Sequence, residues 1–386
     1  MTAKATARRS ITEVMLVNLA RDGRVANPAV LDRIEEASRS ATDCFVFCHG
    51  WLYDEAEARR EGERLFALLE KALAPLGERV VPLRVTLHWP SRPFTNGASD
   101  RKGGEFLDML ARVPETVTWA LLSQLCESEV PAGPEEEAEL EALKRSLRGS
   151  RAAAPSRWSP VEALSFWMMK RRAGQVGERF GSEHLARISR GVRTHLIGHS
   201  FGGVLASSAV LGEAELESLT LLLAAFSAYG FARDVPGCDR SGRYHPVVAE
   251  RRVKGPITVL HSRHDQALSV LYPLATGGSL EERATAPGRG GRVREVVAAS
   301  AIGFLGARGV GAPELSLLDV QRTGLARVPV VNVDGSRVVK AREPLVGAHR
   351  DIFHPEIATL VAMAAGLIAG GPDGARARPV DSRVDP

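Results

Sequence analysis

The sequence predicts an α/β protein with a mainly parallel central sheet and helices on both of its faces. Short, nearly continuous apolar runs recur along the chain, and a strand that is apolar on both sides has to be buried on both faces. Most of these runs are separated by segments with the apolar spacing of helices, which can cover such a sheet. The chain has 386 residues, of which 44% are hydrophobic, so it can bury a core of this size.

Seven apolar runs are the predicted strands, because each is short, rich in branched aliphatic residues and bounded by turn-forming residues. In chain order they cover residues 14–20, 44–50, 80–89, 194–200, 219–227, 257–262 and 329–335. The pair Asp334 and Gly335 at the end of the last run is typical of a two-residue hairpin turn. In a mainly parallel sheet, the functional side chains should lie at the carboxyl ends of the strands.

Predicted helices fill most of the intervals between the strands. Residues 54–73 repeat apolar side chains at helical spacing, and residues 201–211 are small and apolar enough to pack closely under a sheet. A crossover helix is predicted after Gly174. A closing helix is predicted from Pro355, because proline is favoured in the first turn of a helix.

The interval between Phe94 and the strand before Ser200 is longer than one crossover connection needs. It holds about a hundred residues, whereas a crossover helix with its loops takes about thirty. Several helical patterns lie within it. They predict an inserted helical subdomain, a lid or cap, at about residues 100–173.

Composition and the chain ends exclude several classes of protein. The net charge is +4, but the arginines are scattered rather than grouped into a basic patch, which argues against nucleic-acid binding. The N-terminus lacks the apolar core of a secretory signal, and no apolar stretch is long enough to cross a bilayer. We therefore expect a cytoplasmic protein without an integral membrane segment. Its predicted organisation is one domain over residues 13–371, with disordered ends at residues 1–12 and 372–386.

The four cysteines give no sign of a disulfide or a metal site. Cys44 and Cys48 lie in one predicted strand, where four residues span roughly 13 Å, too far for a disulfide. They lack the second pair of ligands that a zinc site needs, and the histidines show no metal-ligand spacing. We expect buried thiols in a reducing compartment, no metal and no cofactor.

The segment Gly198-His199-Ser200-Phe201-Gly202 is the strongest functional motif in the chain. The pattern G-x-S-x-G is weak by itself in a chain with 37 glycines, but here it joins a predicted strand directly to a predicted helix. Such a sharp turn forces the serine into a strained backbone conformation and leaves no room for side chains two residues away on either side. Ser200 is therefore a candidate nucleophile.

With this motif in this place, the chain resembles the serine esterase and lipase branch of the α/β-hydrolase superfamily, over about residues 40–95 and 174–370. The resemblance implies an oxyanion hole with one backbone N–H from the loop after an earlier strand, where His49-Gly50-Trp51 stands. The N–H groups of Trp51 and Phe201 would then bind the oxyanion. The residues implied to support this arrangement are His49, Gly50, Gly198, His199 and Gly202.

The resemblance also implies an acid and then a histidine after the serine in chain order. Asp265 follows the strand at residues 257–262, and Asp234 is the alternative acid. His349 and His354 both precede the closing helix. We prefer His349, because a loop position lets its ring reach Ser200, whereas His354 stands at the start of the helix, where a structural role is more common. Geometry has to decide between the two histidines.

These residues imply a serine hydrolase that cleaves a carboxylic ester of a small molecule through an acyl-enzyme intermediate. An acyltransferase or a thioesterase could use the same three residues. A non-catalytic binding protein of the same fold and a lipase acting at a lipid interface are further alternatives.

Overall fold

The computed structural model describes residues 13–92, 160–236, 240–272, 300–343 and 347–371. Within this part of the chain, one open sheet of eight parallel strands is packed against helices. The predicted α/β class is therefore confirmed. The predicted disordered ends, at residues 1–12 and 372–386, lie outside the described residues, and so does the predicted lid up to residue 159.

The eight strands include all seven that the sequence predicts. They are β1 (Val14–Asn18), β2 (Asp43–Cys48), β3 (Pro82–His88), β4 (Arg193–His199), β5 (Ser218–Leu222), β6 (Ile257–His261), β7 (Glu314–Ser316) and β8 (Val330–Asp334). Their order across the sheet is β1-β3-β2-β4-β5-β6-β8-β7. The sequence does not reveal β7, because this edge strand has three residues and none of them is buried, so it shows no apolar run.

The longer helices pack in two pairs. The helices are α1 (Ala29–Ser38), α2 (Glu55–Leu73), α3 (Pro160–Phe180), α4 (Phe201–Ala209), α5 (His245–Ala249), α6 (Ile302–Leu305), α7 (Leu317–Thr323), α8 (Gly347–Arg350) and α9 (Pro355–Ala364). Helix α3 packs against α4, and α2 packs against α9. The crossover helix predicted after Gly174 is the last six residues of α3. A π-helical turn at Gly181–Leu185 and a short helix at Ala186–Ile188 extend it.

Helix α2 shows how local sequence sets the position of a loop at the carboxyl edge of the sheet. Asp54 caps the helix, and its carboxylate accepts a hydrogen bond of 2.8 Å from the Glu57 N–H. The Glu57 carboxylate in turn accepts one of 2.9 Å from the Asp54 N–H. This capping box fixes where the helix begins. The buried face of α2, which includes Leu65 and Phe66, packs against β1 and β3 and so anchors the end of the loop after β2.

The strand order reverses direction at β2. Strand β3 lies on one side of β2, and β4 lies on its other side. The connections that leave the carboxyl ends of β2 and β4 therefore run to opposite sides and leave a crevice between them, which is where open parallel sheets bind ligands. The loop that starts at His49 and the turn at Ser200 flank this crevice.

The predicted hairpin turn at Asp334 and Gly335 is wrong. Strand β8 ends at Asp334 and pairs in parallel with β6 and β7. The Asp334 carboxylate accepts a hydrogen bond from the Ser336 N–H, at 2.8 Å, and the Gly335 carbonyl accepts bonds from the N–H groups of Val338 and Val339, both at 2.9 Å. The same residues that favour a hairpin also favour this side-chain turn, and the buried parallel sheet selects it.

Two further expectations concern the thiols and membrane spans. Cys44 and Cys48 are free and buried in β2, as expected, and burial raises the pKa of both thiols. In the described ranges, no helix has the length and apolarity needed to cross a bilayer.

Candidate active site

Ser200 occupies a strained turn between the end of β4 and the start of α4. Its backbone has φ 56° and ψ −122°, a conformation that residues other than glycine rarely adopt. Neighbouring backbone groups hold it there. The Ser200 N–H donates to the Leu222 carbonyl at 3.1 Å, and the Ser200 carbonyl accepts from the N–H groups of Gly203 and Ala225 at 3.0 and 3.1 Å. These hydrogen bonds hold the strained turn, and with it the Ser200 hydroxyl, at the carboxyl end of the sheet.

The glycines two residues before and after Ser200 permit close approach of the backbone, as the sequence predicts. A Cβ atom at Gly198 would lie 2.5 Å from the Gly202 carbonyl oxygen. A Cβ atom at Gly202 would overlap the Cys48 carbonyl oxygen at the end of β2. Any other residue at either position would push α4 away from the sheet.

A continuous chain of hydrogen bonds joins Ser200 to His349 and Asp265. The Nε2 atom of His349 lies 2.8 Å from the Ser200 Oγ, and its Nδ1 atom lies 2.7 Å from Asp265 Oδ2. The buried Asp265 carboxylate can only accept, so Nδ1 carries the proton and Nε2 accepts from the serine hydroxyl. The other oxygen of Asp265 accepts from the Leu268 N–H at 3.0 Å, which fixes the carboxylate.

The two alternative residues lie apart from this chain of hydrogen bonds. His354 is the N-cap of α9, and its Nε2 atom donates to Asp351 Oδ1 at 2.6 Å. Asp234 is exposed at the surface. The structure therefore brings together Ser200, Asp265 and His349, and it places neither alternative among them.

No protein-family model, curated protein or solved structure matches this chain.

The loop after β2 passes directly over Ser200. A Cβ atom at Gly50 would lie 3.0 Å from the Ser200 Cβ and 3.5 Å from its Oγ. The buried His49 ring donates from Nδ1 to the Gly50 carbonyl at 2.8 Å. The Trp89 indole N–H donates to the His49 carbonyl at 2.9 Å. Because the C=O and N–H of a trans peptide point in opposite directions, the His49 hydrogen bond also sets the direction of the Trp51 N–H.

Two backbone N–H groups beside Ser200 are available to a ligand. Phe201 is the first residue of α4, where the N–H has no acceptor within the helix. In the described part of the chain, neither the Phe201 N–H nor the Trp51 N–H donates to a backbone carbonyl. Together with the N-terminal dipole of α4, they could stabilise negative charge next to the serine.

Two buried histidines beside the site are neutral. Burial lowers the pKa of His49 to about 3, and the neighbouring His88 contributes to the shift. Burial also lowers the pKa of His199 to about 3, with a contribution from His349. Neither ring competes with His349 for a proton near neutral pH.

An aromatic cluster borders the serine on the side of α3. The ring centroid of Phe166 lies 4.9 Å from that of Phe201 and 5.6 Å from that of Tyr272. The half-buried Trp51 ring lies 5.8 Å from Phe201. Phe166 is buried in these contacts. Sequence reasoning missed Tyr272, which no motif marks.

A second hydrogen-bonded set of serine, histidine and aspartate lies inside the sheet. His195 Nε2 is 3.0 Å from Asp43 Oδ1, and His195 Nδ1 is 2.9 Å from the Ser218 Oγ. At most 1% of each of these residues is exposed, so no substrate can reach them. They link β2, β4 and β5 near the amino ends of the strands. The sequence gives no signal for this set, because its members are isolated polar residues in or next to apolar runs.

The described residues contain no group of three or more His, Cys, Asp or Glu side chains that could hold a metal ion.

Proposed function

We propose that the protein is a serine hydrolase that cleaves a carboxylic ester through Ser200, His349 and Asp265. The observation that carries the proposal is the continuous hydrogen bonding from Asp265 through His349 to a serine whose backbone is strained. Membership of the α/β-hydrolase superfamily is part of the proposal. The chain order serine, aspartate, histidine and the parallel sheet that presents the serine support it.

The first half of the reaction acylates the serine. His349 Nε2 takes the proton of the Ser200 hydroxyl while Oγ attacks the ester carbonyl carbon. Asp265 stabilises the imidazolium and keeps its ring oriented. The N–H groups of Trp51 and Phe201 bind the oxyanion of the tetrahedral intermediate, and the dipole of α4 favours its charge. The carbon–oxygen bond to the alcohol then breaks, and the imidazolium gives its proton to the leaving alcohol.

The second half of the reaction uses water in place of the serine. His349 takes a proton from a water molecule, which attacks the acyl-enzyme carbonyl. Collapse of the second tetrahedral intermediate breaks the bond to Ser200 Oγ, and the imidazolium returns the proton to that oxygen. The products are a carboxylic acid and the free enzyme.

The first test is covalent labelling of the purified protein with a fluorophosphonate probe. We expect the wild type to label, Ser200→Ala to show no labelling, and His349→Ala to label at least about 10²-fold more slowly, because the serine loses its base. His354→Ala is the matched control, since His354 binds Asp351 rather than Ser200. A wild type that stays unlabelled would contradict the proposal, and rapid labelling of His349→Ala would contradict the assignment of the base.

The acyl acceptor is tested with an activated ester in water. A hydrolase releases the free carboxylic acid at a steady rate without any added alcohol. If acid forms only in a single turnover and steady product formation needs an added alcohol, the protein is an acyltransferase that uses the same residues.

A further inference from the structure

We propose that His199 is a positioning residue for His349. By donating a hydrogen bond to the backbone carbonyl of His349, it fixes the helical turn that holds the base over Ser200. This inference rests on the proposed function, because it assigns a role within the same site.

The contact between the two histidines is direct. His199 Nε2 lies 2.8 Å from the His349 carbonyl oxygen, and since a carbonyl can only accept, Nε2 carries the proton. The ring centroids are 5.2 Å apart. His199 is the last residue of β4 and is 1% exposed. A rigid strand of the central sheet therefore holds the donor.

The His349 carbonyl needs such a donor because of its place in the chain. Helix α8 has four residues, Gly347–Arg350, so the carbonyl of its third residue finds no N–H within the helix. Both ring nitrogens of the same residue are already bound, by Asp265 and Ser200. The hydrogen bond from His199 adds a third fixed point, on the backbone. A base held at both its ring and its backbone keeps the distance to the hydroxyl that proton transfer needs.

The neutral state of His199 suits this role. Burial lowers the pKa of His199 to about 3, and electrostatic interactions with the neighbouring His349, Arg350 and His49 side chains lower it further, whereas the hydrogen bond to the His349 carbonyl acts in the opposite direction. A positive charge on His199, whose ring centroid lies 5.2 Å from that of His349, would destabilise the imidazolium that forms on His349 during the reaction. The Nδ1 atom therefore carries no proton. It is buried, and it has no hydrogen-bond partner within the described residues.

Two amide substitutions distinguish positioning from simple space filling. The side-chain nitrogen in His199→Gln reaches about as far as Nε2 and can donate to the same carbonyl. The nitrogen in His199→Asn ends about where Nδ1 lies, which is too short. Because His199→Asn removes volume, His199→Phe tests the same point with a ring that fills the space and lacks a donor. His184→Gln, at a partly buried histidine in the π-helical turn after α3, is the control for changing a histidine elsewhere.

The measurement is the rate of fluorophosphonate labelling as a function of probe concentration and pH, together with the melting temperature of each variant. We expect His199→Asn and His199→Phe to lower the limiting rate kinact about 10- to 100-fold with little change in KI, because a small displacement of the base affects the reaction more than binding. His199→Gln should recover kinact to within about 3- to 5-fold of the wild type. The pH profile of His199→Gln should have the same shape as that of the wild type, because one neutral donor replaces another.

Three outcomes would overturn the inference. If folded His199→Phe labels with the wild-type kinact, the hydrogen bond does not position the base. If His199→Gln lowers kinact as much as His199→Phe does, His199 contributes packing rather than a hydrogen bond. If the wild type itself fails to label, the proposed function falls as well, whereas the first two outcomes leave the proposed function intact.

Discussion

At the scale of single residues, the site depends on the direction of a few hydrogen bonds. Asp265 is fully buried, with one oxygen on His349 and the other on the Leu268 N–H. An ionised carboxylate in this position accepts on both oxygens and so selects the one tautomer of His349 that can take a proton from Ser200. The proposed role of His349 as a base therefore needs the buried acceptor behind its ring as well as the histidine side chain.

Asp265→Asn tests this point with almost no change in shape. The asparagine amide can donate to Nδ1 and would stabilise the tautomer of His349 that carries its proton on Nε2. We expect the rate of fluorophosphonate labelling to fall about 10³- to 10⁴-fold with little change in melting temperature.

Asp234→Asn is the matched control, because Asp234 is the exposed acid that the sequence leaves as the alternative. It should label at the wild-type rate. If Asp234→Asn loses activity and Asp265→Asn keeps it, the acid is wrongly assigned.

At the scale of elements, the junction between β4 and α4 decides whether Ser200 is presented at all. Helix α4 is buried along its whole length, and Gly202 lets its first turn touch the end of β2. The hydroxyl, the Phe201 N–H and the loop at Gly50 meet because these backbones approach so closely. Two glycines thus connect the local strain at Ser200 with the packing of a helix on two strands.

Gly202→Ala should disturb this junction. The added Cβ would overlap the Cys48 carbonyl oxygen, which is backbone and cannot rotate away. We expect a loss of about 1–3 kcal/mol in the free energy of unfolding, as for other overpacked sites, and a drop in the labelling rate larger than the loss of folded protein explains.

Gly191→Ala provides the comparison for the glycine prediction. Gly191 has φ 74° and open space around its Cβ position, so alanine there should cost about 1–2 kcal/mol through backbone strain alone. The labelling rate of its folded fraction should equal that of the wild type. Urea unfolding measures both stabilities, and a Gly202→Ala variant with wild-type labelling would contradict the junction argument.

At the scale of the whole molecule, polar groups lie at both the carboxyl ends and the amino ends of the strands, and the two sets have different roles. The proposed active site lies at the carboxyl ends of β2 and β4, beside the reversal in strand order. A buried set of side chains joins β2, β4 and β5 near the amino ends of the strands, and its members are Asp43, His195 and Ser218. Arg193 also binds Asp43, at 2.7 Å. This buried set links the strands on both sides of the crevice. We therefore expect it to affect stability rather than catalysis.

Asp43→Asn tests the stabilising role of the buried set. Removing the charge leaves Arg193 and His195 without their carboxylate, so we expect a loss of about 3 kcal/mol in the free energy of unfolding. The labelling rate of the folded protein should not change. Asp32→Asn is the control, because Asp32 pairs with Arg187 at the surface, where an ion pair contributes about 1 kcal/mol or less.

The same residue gives the stability a defined dependence on pH. Burial alone would raise the pKa of Asp43, but the hydrogen bonds from His195 and Thr42 and the nearby positive charges lower it below the ordinary value of 3.8. A lowered pKa in the folded state stabilises the protein above the unfolded pKa, and this contribution is lost as the pH falls through the folded pKa. The difference in stability between wild type and Asp43→Asn should therefore shrink below about pH 4. A constant difference down to pH 2 would contradict this.

The sequence by itself determined the α/β class, the strained turn at Ser200 and seven of the eight strands found in the described residues. These features are readable because burial on two faces and a tight strand-to-helix turn impose local demands on residue type. The local pattern at Asp334 and Gly335 predicted a hairpin turn that the structure does not contain, because two kinds of turn use the same residues. The sequence did not reveal the edge strand β7, because its three residues form no buried apolar run.

Only the tertiary structure decided which acid and which histidine meet the serine. Asp265 and His349 are separated by 84 residues, and Ser200 and His349 by 149, so no local pattern records their distance. His349 and His354 are only five positions apart, yet one reaches Ser200 and the other stands at the N-cap of α9 and binds Asp351. The buried contacts of Asp43, His195 and Ser218 arise in the same way, because the order and register of the strands determine which side chains become neighbours.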